Sequence, residues 1–450
     1  MSRLAVPPTD RPELSVVMVT YNAWEWTQRA LEALLAHTDV PLEVIVADNA
    51  SADGTLEGLA GIRGLAVLRN PVNLGFGPAA NQAALRARAP LLLVLNTDAL
   101  VHPGWLPPLR AVLDAQPDVA AVSPRLLHLD GSVQEAGSIL WGDAEVWPYG
   151  ATGSAAAPEY RFRRDVDYAS AACLLLRRSA FGDAGGFDPA YAPAYYEDVD
   201  LCLRLWDRGL RTVCQPLSEV THAGGASTDR RRRAALLERN RAIFVERWRG
   251  LLARRPPSPV HWEPEDVIPG RDLRCDDRVL VVGDFVPDAR EPRLERLLRA
   301  LVRLYPRARI TCLALDADGA EESALPLLGA GVELAWPGDG LERWLHQRRH
   351  HYGVVLAASW AASSPPVRGL LDTSQPLAHR VVLLDGGAER DLEGADYAAT
   401  VRSARLVLCA DDGIRVAAER VGPRGEVVVL DGDRSLTGAL AGLGMAPALS

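Results

Sequence analysis

Four short apolar runs open the chain, and each stops in a polar residue: LSVVMVT (14–20), LEVIVAD (42–48), GLAVLRN (64–70) and LLLVLN (91–96). All four have strand length and are rich in Val, Ile and Leu, which is the pattern of strands buried on both faces. Helical segments lie between them. Residues 25–36 place Trp26, Ala30, Leu34 and Leu35 at helical spacing, and 78–88 begin with Pro at a first helical position. This alternation predicts a mainly parallel sheet with helices on both faces. Such sheets bind ligands beyond the carboxyl ends of their strands, where Asn22, Asp48, Asn49 and Asp98 would lie.

The chain then repeats the α/β theme without repeating its motifs. SAACLLLRR (170–178) reads as a further strand. Residues 197–208 read as a helix with Leu201, Leu205 and Trp206 inward, and 231–252 as a basic helix. Pro256, Pro257, Pro259 and Pro264 mark a break. We therefore expect a first domain over 1–262, a linker over 263–277 and a second α/β domain over 278–450. The second opens with RVLVVGD and an Arg/Leu-rich helix over 291–304.

Length and charge narrow the function. A chain of 450 residues has room for two or three domains. Its 49 Lys+Arg against 58 Asp+Glu give a formal charge of -9, which argues against a general nucleic-acid footprint. Six Cys show neither CxxC nor close metal spacing and read as buried thiols in a reducing compartment. The start MSRLAVPPTDRPELS has no apolar signal region, and no run of eighteen apolar residues occurs. A cytoplasmic protein is expected, with a place at the inner face of the membrane left open.

The candidate chemistry sits where strands end. Asp98, after Asn96 in LLLVLNTDAL, offers a hard oxygen ligand for a divalent cation that would neutralise a diphosphate; Asn96 offers only a neutral oxygen. Asp48 ends a strand and can accept from a base N–H or a ribose hydroxyl. Asp53, in a polar loop, reads as structural. NLGFGPAANQA (73–83) brings Gly75 and Gly77 to a helix start, which suits a tight junction or a backbone approach to phosphate. It is neither GxGxxG nor a Walker loop. Glu197 and Asp198 open a helix after the aromatic run AYAPAYY, with Asp200 two residues on. Aromatic faces beside carboxylates suit a sugar, and one carboxylate could deprotonate an acceptor hydroxyl. His222, before AGGAS, could be a further metal ligand as a neutral imidazole.

Together, SVVMVTYNAWEWTQRALEAL, VIVADNASADGT, NLGFGPAANQAAL, LLVLNTDA, GGFDPAYAPAYYEDVDLCLRLWDRG and the later TH resemble the family 2 glycosyltransferases, nearest their rhamnosyltransferase-like branch, over about residues 14–250. The resemblance implies a GT-A fold, a nucleoside-diphosphate sugar donor, Mn2+ or Mg2+, and inversion at the anomeric carbon. It implies donor contacts at Thr20, Asn22, Asp48, Asn73, Gly75 and Asn96, metal ligation by Asp98 and His222, and Asp198 as base beside Glu197. Asn96 departs from the family's usual Asp-any-Asp motif. RVLVVGDFVPDAREPRLERLLRALVRLYPRARITCLAL is similar to the N-terminal half of GT-B glycosyltransferases. Its acceptor loop is replaced by FVPDAREP and no donor-binding half follows. A non-catalytic Rossmann-like domain, or a piece of a longer enzyme, is expected. His350 and His351, in RRHHYG, read as surface residues.

Two other readings stand beside this one. A carbohydrate-binding scaffold on a degenerate GT-A fold would expect Asp98 or Asp198 to be lost, and both remain. A nucleotide-sugar hydrolase would release donor sugar without an acceptor. dTDP-rhamnose is the first donor by resemblance, with UDP- and GDP-sugars open; the acceptor is a glycan, a lipid-linked glycan or a peptide. The Arg-rich 230–255 stretch reads as a solvated helix face, with peripheral contact to anionic lipid as the alternative.

Overall fold

The computed structural model describes residues 4–151, 153–224, 230–287, 292–316, 320–348, 350–358, 367, 379–384, 398, 401–402 and 404–447. The chain forms two compact units, residues 1–260 and 261–450.

In the first unit the opening runs fold as strands β1 (Leu14–Thr20), β2 (Leu42–Asp48), β3 (Ala66–Arg69) and β4 (Leu91–Leu95). β1 pairs in parallel with both β2 and β4, and β2 pairs in parallel with β3. The order along this part of the sheet is β4-β1-β2-β3. The chain thus builds outward on one side of β1 and returns to the other, and the carboxyl ends of β1 and β4 flank the switch point where such sheets hold ligands. Alternate side chains serve two cores. Val16, Met18, Val44, Val46, Leu93 and Leu95 pack on one face, and Val17, Ile45, Ala47, Leu92 and Val94 on the other. That double burial explains the unbroken apolar runs of β1, β2 and β4, whereas β3, at the end of the sheet, is only partly buried.

Helix α1 (Trp24–Ala36) buries Thr27, Ala30, Leu31 and Leu34. The inward face is therefore rotated from the one expected through Trp26 and Leu35, and Trp26 is half-buried under the Arg29 guanidinium.

The rest of this sheet is mixed. β5 (Ala99–Val101), β6 (Val119–Leu127), β7 (Val133–Glu135), β8 (Ser138–Leu140), β9 (Val146–Pro148), β10 (Arg164–Asp165), β11 (Cys173–Arg177) and β12 (Arg211–His222) complete the strands of the unit. β11 runs antiparallel between β4 and β6, with Cys173 opposite Leu95. β5 pairs antiparallel with the end of β12, with Ala99 opposite His222. β8 and β9 form a separate hairpin. Helices α2 (Thr55–Ala60), α3 (Phe76–Ala84), α4 (Leu106–Ala115), α5 (Arg178–Asp183), α6 (Glu197–Asp207) and α7 (Arg230–Leu252) follow. Phe244 and Leu252 of α7 join Val199 and Leu203 of α6, Leu140 of β8, and Tyr191 and Tyr196 in one apolar cluster.

Among its described residues the second unit holds a sheet of seven parallel strands. With its own first strand, Arg278–Gly283, counted as one, their order is 3-2-1-4-5-6-7, a Rossmann-like winding. The stretch expected as linker carries helix α8 (Pro264–Arg271). Of the two histidines expected at the surface, His350 is exposed, but the His351 side chain is only 7% exposed and bonds Asp272 at 3.0 Å. The cause is the buried cationic and anionic cluster around Asp272, to which the apolar pattern of the sequence gives no clue.

Candidate active site

Strand register explains how residues far apart in sequence meet. The β5–β12 pairing places His222 beside Asp98, and the Ala223 N–H donates to the Asp98 carbonyl at 3.0 Å. His222 Nε2 lies 3.2 Å from Asp98 Oδ1 and 3.4 Å from Asn96 Nδ2. The Gly224 N–H donates to Asp98 Oδ2 at 3.1 Å. Burial pushes the Asp98 carboxyl up, but the neighbouring His222 and the backbone N–H groups outweigh it, and the net shift is downward. An anionic carboxylate and an imidazole thus share the mouth of β4. Their 3.2 Å separation matches the roughly 3 Å edge between neighbouring ligands on an octahedral cation with bonds of about 2.1 Å. Among the described residues no cluster of three His, Cys, Asp or Glu ligands occurs. The pair therefore suits a cation that takes its remaining ligands from a diphosphate and water.

A second group of acids lies next to it. The antiparallel start of β11 brings the 170–172 loop to the end of β4, where the Asn96 N–H donates to the Ala172 carbonyl at 2.9 Å. From this loop the Ala171 N–H donates to Asp198 Oδ2 at 3.2 Å, and the Ser170 N–H to Glu135 Oε1 at 3.1 Å. Glu197, one residue from Asp198, turns toward α3: a methyl group added at Gly77 would stand 3.9 Å from its Cβ. Its Oε2 is buried without a partner. Burial, then the charge of Asp198, pushes the Glu197 carboxyl well above the carboxylate range. Burial also raises Asp198, against the pull of three backbone N–H groups. Glu135, buried and beside both Asp198 and His222, is pushed up to about 7, chiefly by burial. Among the described residues no Lys or Arg pairs with these acids, which is how a base is tuned toward neutral pH.

Asp200 shows the contrast on the same helix. It accepts from Arg204 at 2.7 Å, Arg247 at 2.9 Å and Trp248 at 3.0 Å, and from the Tyr191 hydroxyl at 3.3 Å. The third acid of the EDVD run is a structural anchor.

On the β1–β2 side, Asp48 Oδ2 accepts from the Ser51 N–H at 3.2 Å, while its Oδ1 is buried and has no partner. Asn22 ties the loops together by accepting from the Ala52 N–H at 2.7 Å. Thr20 spends its hydroxyl on Thr27 of α1 at 3.0 Å. Asn73 accepts from the Gly75 N–H at 2.9 Å. Gly75 has φ +87°, and a methyl group there would meet Pro193 Cα at 2.5 Å; only glycine fits this approach. The Phe76 N–H then donates to the Pro193 carbonyl at 2.7 Å. The glycine loop is thereby packed against the segment that delivers Glu197.

That segment is held in an unusual shape. Tyr195 and Tyr196 have φ of +81° and +73°, a costly backbone for aromatic residues. Buried Asn240 of α7 offers its amide to the carbonyls of Tyr191, Ala194 and Tyr195 at 2.7, 2.9 and 2.8 Å, and Arg239 bonds the Ala192 carbonyl. Asn240, Glu135 and Gln134 are site residues that sequence reading missed. Nothing in the local pattern marks them, because each acts through a partner more than 30 positions away.

Acids gathered at the carboxyl edge of a largely parallel α/β sheet suit chemistry on a bound diphosphate, and comparison with known proteins places the chain in a family. The profile of glycosyl transferase family 2 matches residues 15–184. An N-acetylglucosaminyl-diphospho-decaprenol L-rhamnosyltransferase of Mycobacterium tuberculosis is 32% identical over 255 residues, covering 52% of this chain and 83% of that protein. The O-antigen biosynthesis protein RfbC of Myxococcus xanthus is 30% identical over 327 residues, covering 66% of this chain and 24% of that protein. A solved mannosyltransferase from Pyrobaculum calidifontis, in complex with GDP-Man and Mn2+, is similar at 21% identity and a TM-score of 0.40, over 56% of this chain and 70% of that one. The chain belongs to glycosyl transferase family 2. No helix among the described residues is long and apolar enough to cross a membrane.

Proposed function

We propose that this glycosyltransferase is inverting and metal-dependent, and that it moves a sugar, rhamnose from dTDP-rhamnose first among the candidates, to a hydroxyl of a lipid-linked or other glycan acceptor. The observation that carries the reading is the pair of acids opening α6, both raised by burial and without a guanidinium partner among the described residues, beside the Asp98–His222 pair.

Asp198 takes the proton of the acceptor hydroxyl as its oxygen bonds to the anomeric carbon. The bond from that carbon to the diphosphate oxygen breaks on the opposite face, which inverts the centre. A bound Mn2+ or Mg2+ supplies charge neutralisation to the departing diphosphate, and Asp98 and His222 are the residues that would hold it. Glu197 orients sugar hydroxyls. Asp48 receives a base N–H or ribose hydroxyl at its unpartnered oxygen. The second unit is non-catalytic in this reading. The relative's name, which specifies L-rhamnosyl transfer to N-acetylglucosaminyl-diphospho-decaprenol, supports a rhamnosyl donor and a lipid-linked acceptor as first choices.

The test is a panel of dTDP-, UDP- and GDP-sugars incubated with acceptor glycolipids, with added Mn2+ or with chelator, reading the product anomer by NMR. One donor should be consumed in a metal-dependent way, and Asp98→Ala should abolish the reaction. Full activity in chelator would remove the metal from the mechanism, and a retained anomer would remove the single displacement.

A further inference from the structure

The imidazole of His222 is itself held. Gln134, the middle residue of β7, reaches the His222 residue with both ends of its side-chain amide, one on the ring and one on the backbone. Its Nε2 faces the His222 carbonyl at 3.2 Å, and its Oε1 faces His222 Nδ1 at 2.7 Å. A backbone carbonyl can only accept, so the Gln134 atom facing it must be the NH2 group. The remaining atom is then the amide oxygen, which also can only accept. His222 Nδ1 must therefore carry the hydrogen. His128 Nδ1, 3.2 Å from the same Gln134 Nε2, accepts the second amide hydrogen and completes the set. A neutral imidazole with hydrogen on Nδ1 keeps its lone pair on Nε2, and Nε2 is the atom that faces Asp98 Oδ1. Gly224, whose N–H holds Asp98, leaves room for the Gln134 amide: a methyl group on Gly224 would stand 3.3 Å from Gln134 Nε2.

We propose that Gln134 is a positioning residue of the cation site: it fixes His222 as the Nδ1–H tautomer and aims the Nε2 lone pair into the space shared with Asp98. The proposal rests on the reading that Asp98 and His222 hold the cation. Ligating histidines generally donate their other N–H to an acceptor, and losing that acceptor costs about 10–100-fold in metal affinity. Here the acceptor comes from a strand that carries no ligand.

The direct test is Mn2+ binding to the full chain, by titration calorimetry and by loss of the free Mn2+ EPR signal. Gln134→Leu should weaken binding about 10–100-fold. Gln134→Glu, which keeps an acceptor for Nδ1–H, should bind within a few-fold of the parent. His222→Ala is the control for the underlying reading. If His222→Ala loses Mn2+ while a folded Gln134→Leu binds it normally, the tautomer role is wrong and the cation site stands. If His222→Ala binds Mn2+ like the parent, or the parent binds none, the cation site itself fails. Should Gln134→Leu not fold, imidazole 15N shifts of the unmutated protein saturated with Mg2+ decide the matter, with His222 assigned from His222→Ala. An Nδ1–H pattern supports the proposal and an Nε2–H pattern overturns it.

Discussion

Each unit of this chain buries acids at one edge of an α/β sheet, and the two treat them in opposite ways. In the second unit Asp272 is fully buried, and accepts from Arg271 at 2.6 and 2.9 Å, Arg309 at 3.0 Å and His351 at 3.0 Å. Glu333 accepts from Arg271 at 2.7 and 3.0 Å and from the Thr311 hydroxyl at 3.0 Å. Burial alone would raise both carboxyls, yet the Arg271 and Arg309 charges outweigh it and hold both down. In the first unit Glu135 and Glu197 are buried and Asp198 is partly so; none of them meets a guanidinium among the described residues, and all three are raised. A buried acid given its guanidinium is structure; a buried acid left without one is a cost the fold retains for chemistry.

The contrast breaks most visibly at Asp272. Asp272→Ala removes the carboxylate that Arg271 and Arg309 share, with Arg271 keeping Glu333, and should destabilise the second unit by about 3–5 kcal/mol, read as a loss in thermal or urea stability. Turnover per folded molecule should be unchanged. A loss of turnover with stability intact would give the second unit a part in the reaction.

The two units should also answer pH with opposite signs. Asp272 and Glu333 lie below their unfolded values of 3.8 and 4.5. Their contribution is complete above those values and is lost as pH falls through the lower folded ones. Glu135 lies above its unfolded value of 4.5, at about 7. Its contribution is complete below 4.5 and is lost as pH rises through about 7. Glu135→Gln does not titrate, so it should gain stability over the parent on going from pH 4.5 to 8, by up to about 3 kcal/mol. Melting curves at both ends of that range check this, and a pH-independent difference would show that Glu135 ionises freely.

A smaller effect belongs to the strap over the site. Asn240→Ala strands the carbonyls of Tyr191, Ala194 and Tyr195 and should cost about 1–3 kcal/mol in stability. Relaxation of the left-handed Tyr195–Tyr196 pair should lower kcat more than it weakens donor binding. Steady-state kinetics beside donor calorimetry separates the two.

How much of this was legible beforehand follows from where the information lies. The runs ending at Thr20, Asp48 and Asn96 disclosed the sheet and its carboxyl edge because double burial makes a strand wholly apolar. The acids at 98, 197 and 198 stood out as polar residues at element ends. The α1 face was misjudged because Thr27, a polar residue, is inward: its hydroxyl bonds Thr20 and the Ala23 carbonyl. Asp200 could not be told from Asp198 in sequence, since the difference is made by Arg247 and Trp248 on another helix. Gln134 and Asn240 are defined wholly by tertiary partners, so no local window contains their signal.

The most direct measurement is turnover of Asp198→Asn with donor affinity determined on the same protein. The substitution keeps the shape and an acceptor for the Ala171 N–H but cannot take a proton. Turnover should fall by about 10²–10⁴ while donor affinity stays within a few-fold of the parent. Near-normal turnover in Asp198→Asn, with collapse in Glu197→Gln, would contradict the assignment and move the base to Glu197.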